Sequence, residues 1–153
     1  MQELMRGKRG LIMGVANQRS IAWGIAKACA DAGAELAFTY QGEALERRVR
    51  PLAESVNADI VLPCDVTNAP SMDAVFDTLA RDWGKLDFVV HAIAFADKDE
   101  LTGRYVDTSP ENFQMSLNIS CFSFTAVAHR AEKLMTDGGS LVTLSYYGAE
   151  KVI

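Results

Sequence analysis

The segment from Leu11 to Ala26 most constrains what this chain can fold into. An apolar run, Leu11-Ile12-Met13, reaches Gly14, passes through Val15-Ala16-Asn17-Gln18-Arg19, and enters a helical pattern at Ser20-Ile21-Ala22-Trp23-Gly24-Ile25-Ala26. A strand that turns at a glycine into a helix opens a βαβ unit. Glycine permits the sharp turn and a close approach of backbone to a ligand, while the unpaired N–H groups of the helix start favour an anion such as a pyrophosphate. Ser20 is a good N-cap and Gly33 a good C′ residue, so both ends of this helix are marked. The spacing is not the GxGxxG of the common Rossmann fingerprint, and a lone glycine turn does not specify a nucleotide.

Beyond Ala26, short apolar runs continue to alternate with helical patterns, the signature of a parallel sheet with helices on both faces. Strands are expected at about Arg9 to Met13, Glu35 to Tyr40, Asp59 to Pro63, Leu86 to Ala92 and Ser140 to Ser145. Helices are expected at about Ser20 to Ala32, Glu43 to Val56, Ser71 to Asp82 and Pro110 to Met135. The fold class is therefore α/β, a doubly wound, Rossmann-like parallel sheet. The fourth helix carries Phe113, Leu117, Cys121, Phe124, Ala128, Ala131 and Met135 at helical spacing, with a second apolar face at Ile119, Phe122 and Val127. A helix apolar on two sides is buried on two sides, one on the sheet and the other under a partner subunit or another part of the same chain.

With 153 residues, 49% of them apolar, the chain can bury a core as one domain. The longest apolar run, Phe88 to Ala96 broken by His91, is too short to span a bilayer, and the N-terminus lacks a signal-peptide pattern. A cytoplasmic protein with no membrane partner is expected. The net charge of −5 argues against nucleic acid as a partner, since meeting phosphates needs a basic face. Arg47, Arg48 and Arg50 form the only dense basic cluster and read as a solvated helix face. Cys29, Cys64 and Cys121 are odd in number, far apart and without C-x-x-C spacing, which suggests reduced, buried thiols and no metal site.

The pattern G-x5-S-I-A-x-G-I-A, followed by Ala34-Glu35-Leu36-Ala37-Phe38-Thr39-Tyr40 and Gln41, resembles the enoyl-acyl-carrier-protein reductases of bacterial fatty acid synthesis. These are a divergent branch of the short-chain dehydrogenase/reductases. The likeness continues through Asp59-Ile60-Val61-Leu62-Pro63-Cys64-Asp65-Val66, then His91-Ala92-Ile93-Ala94-Phe95-Ala96, and then Leu144-Ser145-Tyr146-Tyr147-Gly148-Ala149-Glu150. Four separated motifs in order are far more specific than any one of them. His91-Ala92-Ile93-Ala94 stands where many other short-chain dehydrogenases have Asn-Asn-Ala-Gly, which favours the enoyl-reductase branch.

The resemblance implies a function: reduction of a trans-2-enoyl thioester on acyl carrier protein by NADH. It also implies roles. Gly14, Ser20 and Ile21 would line the pyrophosphate and ribose region, although Ser20 is equally a plain helix cap. Gln41 stands where NAD-binding units commonly have Asp or Glu. It can bond the adenosine ribose but lacks a carboxylate's repulsion of a 2′-phosphate, which leaves NADPH open; the preference for NADH is what the resemblance implies. Asp65 and Val66 would contact adenine, with a turn role for Asp65 as the competing reading. Ile93 would lie against the cofactor and Ala96 against the substrate, ordinary packing being the alternative for each. Tyr146 matches the first of two active-site tyrosines and is the one catalytic candidate, whereas Tyr147 reads as packing and His91 as a satisfied strand residue.

The second tyrosine and its lysine, the principal catalytic pair of the family, would lie past Ile153. Residues 1–153 are accordingly expected to be a single dinucleotide-binding domain incomplete at its C-terminal end, the first five strands of a larger sheet. Such a piece alone is expected to expose its fifth strand, to aggregate and to be inactive. The family implies a homotetramer, and an acidic acyl carrier protein would need a basic patch on this acidic chain. Two rival readings remain: another short-chain dehydrogenase acting on a ketone or alcohol, and a non-catalytic nucleotide-binding module.

Overall fold

The computed structural model describes residues 4–152. Five strands, β1 (Arg9–Met13), β2 (Glu35–Tyr40), β3 (Ile60–Pro63), β4 (Phe88–His91) and β5 (Ser140–Thr143), form one sheet in the order β3-β2-β1-β4-β5. Every pairing is parallel, with Leu11 beside Ala37 on one side and Val89 on the other. Three helices connect the early strands: α1 (Ile21–Asp31), α2 (Glu43–Ser55) and α3 (Ala69–Asp82). This is the doubly wound arrangement expected from the alternation.

Parallel strands buried on both faces read as continuous apolar runs, and β1 shows why. Ile12 points into a core with Ala22 and Ala26 of α1 and Val49 and Ala53 of α2. Its neighbours Leu11 and Met13 point the other way, into a core with Met72, Val75, Phe76 and Leu79 of α3. All three β1 residues are fully buried. The chain order runs outward from β1 to β3 on one side and from β4 to β5 on the other, so the connections part between β1 and β4. Such a switch point leaves a crevice at the carboxyl ends of the strands, where open α/β sheets bind ligands.

Several boundaries differ from expectation. Helix α3 begins two residues before Ser71, because the side chain of Asn68 accepts from the Ser71 N–H and Pro70 sits in the first turn. The single helix expected from Pro110 to Met135 is a composite: α4 (Pro110–Leu117), a π-helical segment Asn118–Phe122, α5 (Ser123–Ala131) and a 3₁₀ turn Glu132–Leu134. The π segment changes which residues face inward. Val127, Ala131 and Ser123 are fully buried, whereas Phe113, Leu117, Cys121 and Phe122 of the expected stripes are exposed. Cys121 therefore departs from the buried-thiol expectation, because nothing among the described residues covers that helix face; Cys64 is buried and Cys29 half-buried.

Between β4 and α4 the chain makes two 3₁₀ turns, Lys98–Glu100 and Tyr105–Asp107, that the sequence did not signal. The connection is closed by Glu100, whose carboxylate accepts from the N–H and hydroxyl of Ser109, and by Asn112, which accepts from the Asp97 N–H at 2.8 Å.

Candidate functional site

The carboxyl ends of four strands enclose a cavity of about 430 Å³. Gly14 follows β1, Gln41 follows β2, Asp65 and Val66 follow β3, Ile93 follows β4, and all five line it. Ser20, Ile21, Ala96 and Tyr146 do not: Ile21 is 67% exposed at the start of α1 and Tyr146 is 72% exposed after β5. The sequence thus placed five of its nine candidates on one surface.

Gly14 has φ +102°, a region L side chains rarely adopt. A Cβ there would lie 2.0 Å from the Ala92 carbonyl oxygen. The glycine therefore lets the exits of β1 and β4 approach each other at the crevice. The following loop is braced by Ser20, whose hydroxyl accepts from the N–H groups of Ala16 and Asn17, both at 2.9 Å, and donates to the Asn17 carbonyl at 2.7 Å. Ser20 occupies the N-cap position, but its side chain makes no bond to the helix amides. The plain-cap reading is thereby corrected: the hydroxyl is used up by the turn, and the first N–H groups of α1 have no side-chain acceptor.

Asp65 makes a compact turn, Oδ1 accepting from the Thr67 N–H at 2.8 Å and the Thr67 hydroxyl at 2.7 Å. The Thr67 hydroxyl bond, then the Thr67 amide, hold its carboxyl below the usual range despite partial burial, and the Gln41 side chain adds to this. The turn role therefore holds, and one carboxylate oxygen takes both bonds. Beside it, burial pushes the Cys64 thiol up to about 11, so Cys64 stays protonated on the cavity wall. Gln41, exposed at the cavity rim, adjoins Tyr40, whose hydroxyl is raised by burial and by its bond to Glu46.

Burial lowers His91, which is fully buried and neutral. Its Nε2 lies 2.7 Å from the Ser123 hydroxyl and its Nδ1 3.0 Å from that of Thr143. It is a satisfied strand residue, as the sequence reading held.

Sequence reasoning missed Tyr40, Thr67, Phe95 and Ile119, which also line the cavity. The D-x-T spacing of Asp65 and Thr67 was an available signal for a side-chain turn. Ile119 gave none, because only the π segment directs it there. The arginine cluster is a mixed surface: Arg47 pairs with Glu43 at 3.7 Å and Arg50 with Glu46, each one helical turn earlier. Among the described residues no cluster of His, Cys, Asp or Glu could hold a metal ion, and no helix is long and apolar enough to cross a membrane.

The family model for enoyl-(acyl carrier protein) reductase matches residues 14–153. The chain belongs to that family. It is 65% identical over 150 residues to enoyl-[acyl-carrier-protein] reductase [NADH] 1 of Rhizobium meliloti, covering 98% of this chain and 55% of that protein. It is 57% identical to the NADH enzyme FabI of Rickettsia felis, covering 98% of this chain and 58% of that one. The solved reductase of Anaplasma phagocytophilum in complex with NAD superimposes with a TM-score of 0.96 at 60% identity, over 100% of this chain and 58% of that one. The Bacillus cereus reductase with NADP+ and an indole naphthyridinone superimposes with a TM-score of 0.95 at 53% identity, over 99% and 60%. The chain thus spans a little over half the length of the curated relatives it matches.

Proposed function

We propose that the protein carrying this chain is an NADH-dependent enoyl-acyl-carrier-protein reductase, and that residues 1–153 supply its dinucleotide-binding part. One observation carries the reading: in a chain of this family, Gly14, Gln41, Asp65, Val66 and Ile93 converge on a single cavity at the switch point of the sheet. The donor set suits a dinucleotide. Uncapped amides at the start of α1 offer N–H groups to a pyrophosphate, with Gly14, Ser20 and Ile21 shaping the turn. An ionised Asp65 and the Gln41 amide offer acceptors to adenosine hydroxyl and amino groups at the β2–β3 end. Ile93 gives an apolar wall at the β4 end, and Ala96 and Tyr146 are assigned to the substrate side.

When bound, the nicotinamide would supply the hydride that reduces the enoyl double bond at its β-carbon. This chain's residues bind and orient: they fix the adenosine half, hold the pyrophosphate on α1, and exclude water with Ile93, Phe95 and Ile119. Tyr146 is assigned as a phenol beside the reacting thioester, able to donate a hydrogen bond to its oxygen. The NAD and NADP+ named with the two solved relatives make the dinucleotide reading concrete, and the second keeps NADPH in view because Gln41 cannot repel a 2′-phosphate.

Acyl carrier protein is the proposed carrier of the substrate and the cytoplasm the proposed location. A homotetramer is proposed, with the exposed apolar residues of α4 and the π segment as contact surface. The test is NADH oxidation by the protein as expressed from its complete gene, with a crotonyl thioester as substrate. Turnover with NADH exceeding that with NADPH supports the reading. Turnover with keto substrates alone, or tight NADH binding with no turnover on either substrate, would replace it with one of the two rivals.

A further inference from the structure

The structure assigns His91 as a positioning residue: through Ser123 it holds the π-helical segment Asn118–Phe122 in the register that seats Ile119 and Ser120 against the β4 end of the cavity. The inference rests on the dinucleotide reading of that cavity and adds a residue that the reading does not use.

The hydrogen bonds fix the direction of the chain of contacts. Ser123 has one hydroxyl proton and donates it to the Ile119 carbonyl at 2.6 Å. Its oxygen must therefore accept from His91, which makes Nε2 the protonated nitrogen and leaves Nδ1 to accept from the Thr143 hydroxyl. The ring also packs against Phe124, with centroids 5.4 Å apart. One buried imidazole thus ties together the end of β4, the end of β5 and the first turn of α5.

What it holds is irregular. A π segment inserts one residue into the turn; most are single-turn bulges inside α-helices, frequently at functional sites. A serine bonding back four residues is a known means of distorting a helix, and Ser123 does so at the end of the bulge. Within the bulge, Ile119 reaches the cavity wall. The next residue, Ser120, accepts from the Phe95 N–H at 3.0 Å and donates to the Phe95 carbonyl at 3.2 Å, clamping the loop after β4. Both faces of the β4 end of the cavity, Ile119 and Phe95, are thus set by the segment that His91 and Ser123 anchor. The β2–β3 end, built on Gln41 and Asp65, shares none of these bonds.

That asymmetry provides the test. ADP-ribose carries the adenosine and pyrophosphate but lacks the nicotinamide, so it should ignore a disturbance at the β4 end that NADH feels. Dissociation constants for NADH and ADP-ribose are measured by fluorescence and calorimetry on the protein from its complete gene. The variants are His91→Asn, His91→Gln and Ser123→Ala, with thermal midpoints recorded in parallel. His91→Asn and Ser123→Ala should weaken NADH about tenfold, the affinity equivalent of one lost hydrogen bond, and ADP-ribose by less than about twofold. His91→Gln, whose amide N–H can still reach Ser123, should recover most of the NADH affinity.

Equal weakening of both ligands, no weakening of either, or a His91→Gln variant as poor as His91→Asn would overturn the assignment. If the His91 and Ser123 variants do not fold, Ser120→Ala carries the test. It severs only the clamp on Phe95 and should show the same NADH-selective loss, whereas unchanged NADH affinity would overturn the assignment. Failure of the unmodified protein to bind either ligand would instead remove the dinucleotide reading on which the inference rests.

Discussion

Strand β1 lies between two strands and under helices on both faces, and Leu11, Ile12 and Met13 are fully buried. Among the described residues, strand β5 pairs only with β4, and Val142 is 44% exposed. The helices divide in the same way. In α3, Val75 and Leu79 are buried at helical spacing, while in α4 and the π segment Phe113, Leu117 and Phe122 stand 46%, 50% and 59% exposed. The β1 side is covered on both faces, with Val127 and Ala131 of α5 completing one core and Ile119 of the π segment one wall of the cavity. The α4–β5 side carries an apolar surface that no described residue covers.

The largest effect expected is at the crevice. Gly14→Val would force a Cβ into the Ala92 carbonyl at a φ that valine avoids, and should cost more than about 2 kcal/mol of stability and abolish NADH binding. Urea unfolding and NADH titration read both, and a variant that binds normally would break the account of the turn. Next comes a matched pair. Ile12→Ala should cost about 2–5 kcal/mol, as buried truncations do. Val142→Ala should cost less than about 0.5 kcal/mol if β5 is a free edge, and a cost near that of Ile12→Ala would mean the edge is covered in solution.

Phe122→Asp sharpens the same contrast. It should leave the thermal midpoint within a few degrees but lower the assembly state in sedimentation, because a charge placed in an apolar contact is costly only when that contact forms. Unaltered assembly would deny this face its role. The smallest effect is at Asp65. Its carboxyl is held below its ordinary value of 3.8, so the stability it contributes is present above that pH and lost as pH falls through the lowered folded value. Asp65→Asn keeps an acceptor for Thr67 but not the charge, so it should lower stability at neutral pH by the small amount the ionised carboxyl contributes and flatten the acid-side loss. An unchanged acid profile would assign the loss to other carboxylates, such as Asp87.

Legibility in the sequence followed burial. Where residues are covered on both sides, as in β1 and β2, apolar patterning located the element to within a residue or so. Where a polar side chain replaced a backbone bond, the pattern was silent. Asn68 started α3 early, and Ser123 bent one long helix into α4, a π segment and α5. The cavity behaved the same way. Gly14, Gln41, Asp65, Val66 and Ile93 lie in motifs of the family resemblance and each follows a strand end, while Ile119 carries no such mark because its position depends on that bend. Ser20 stands at the cap position but braces the turn, and the two uses of a serine look alike until the bonds are seen.

The proposed occupant of the cavity at the carboxyl ends of the strands is NADH. Hydrogen–deuterium exchange with and without saturating NADH tests it most directly. Protection of peptides covering residues 14–24, 41, 65–67, 92–95 and 118–122, with β5 unchanged, is the result expected. Protection elsewhere, or none at NADH concentrations that support turnover, would contradict the account.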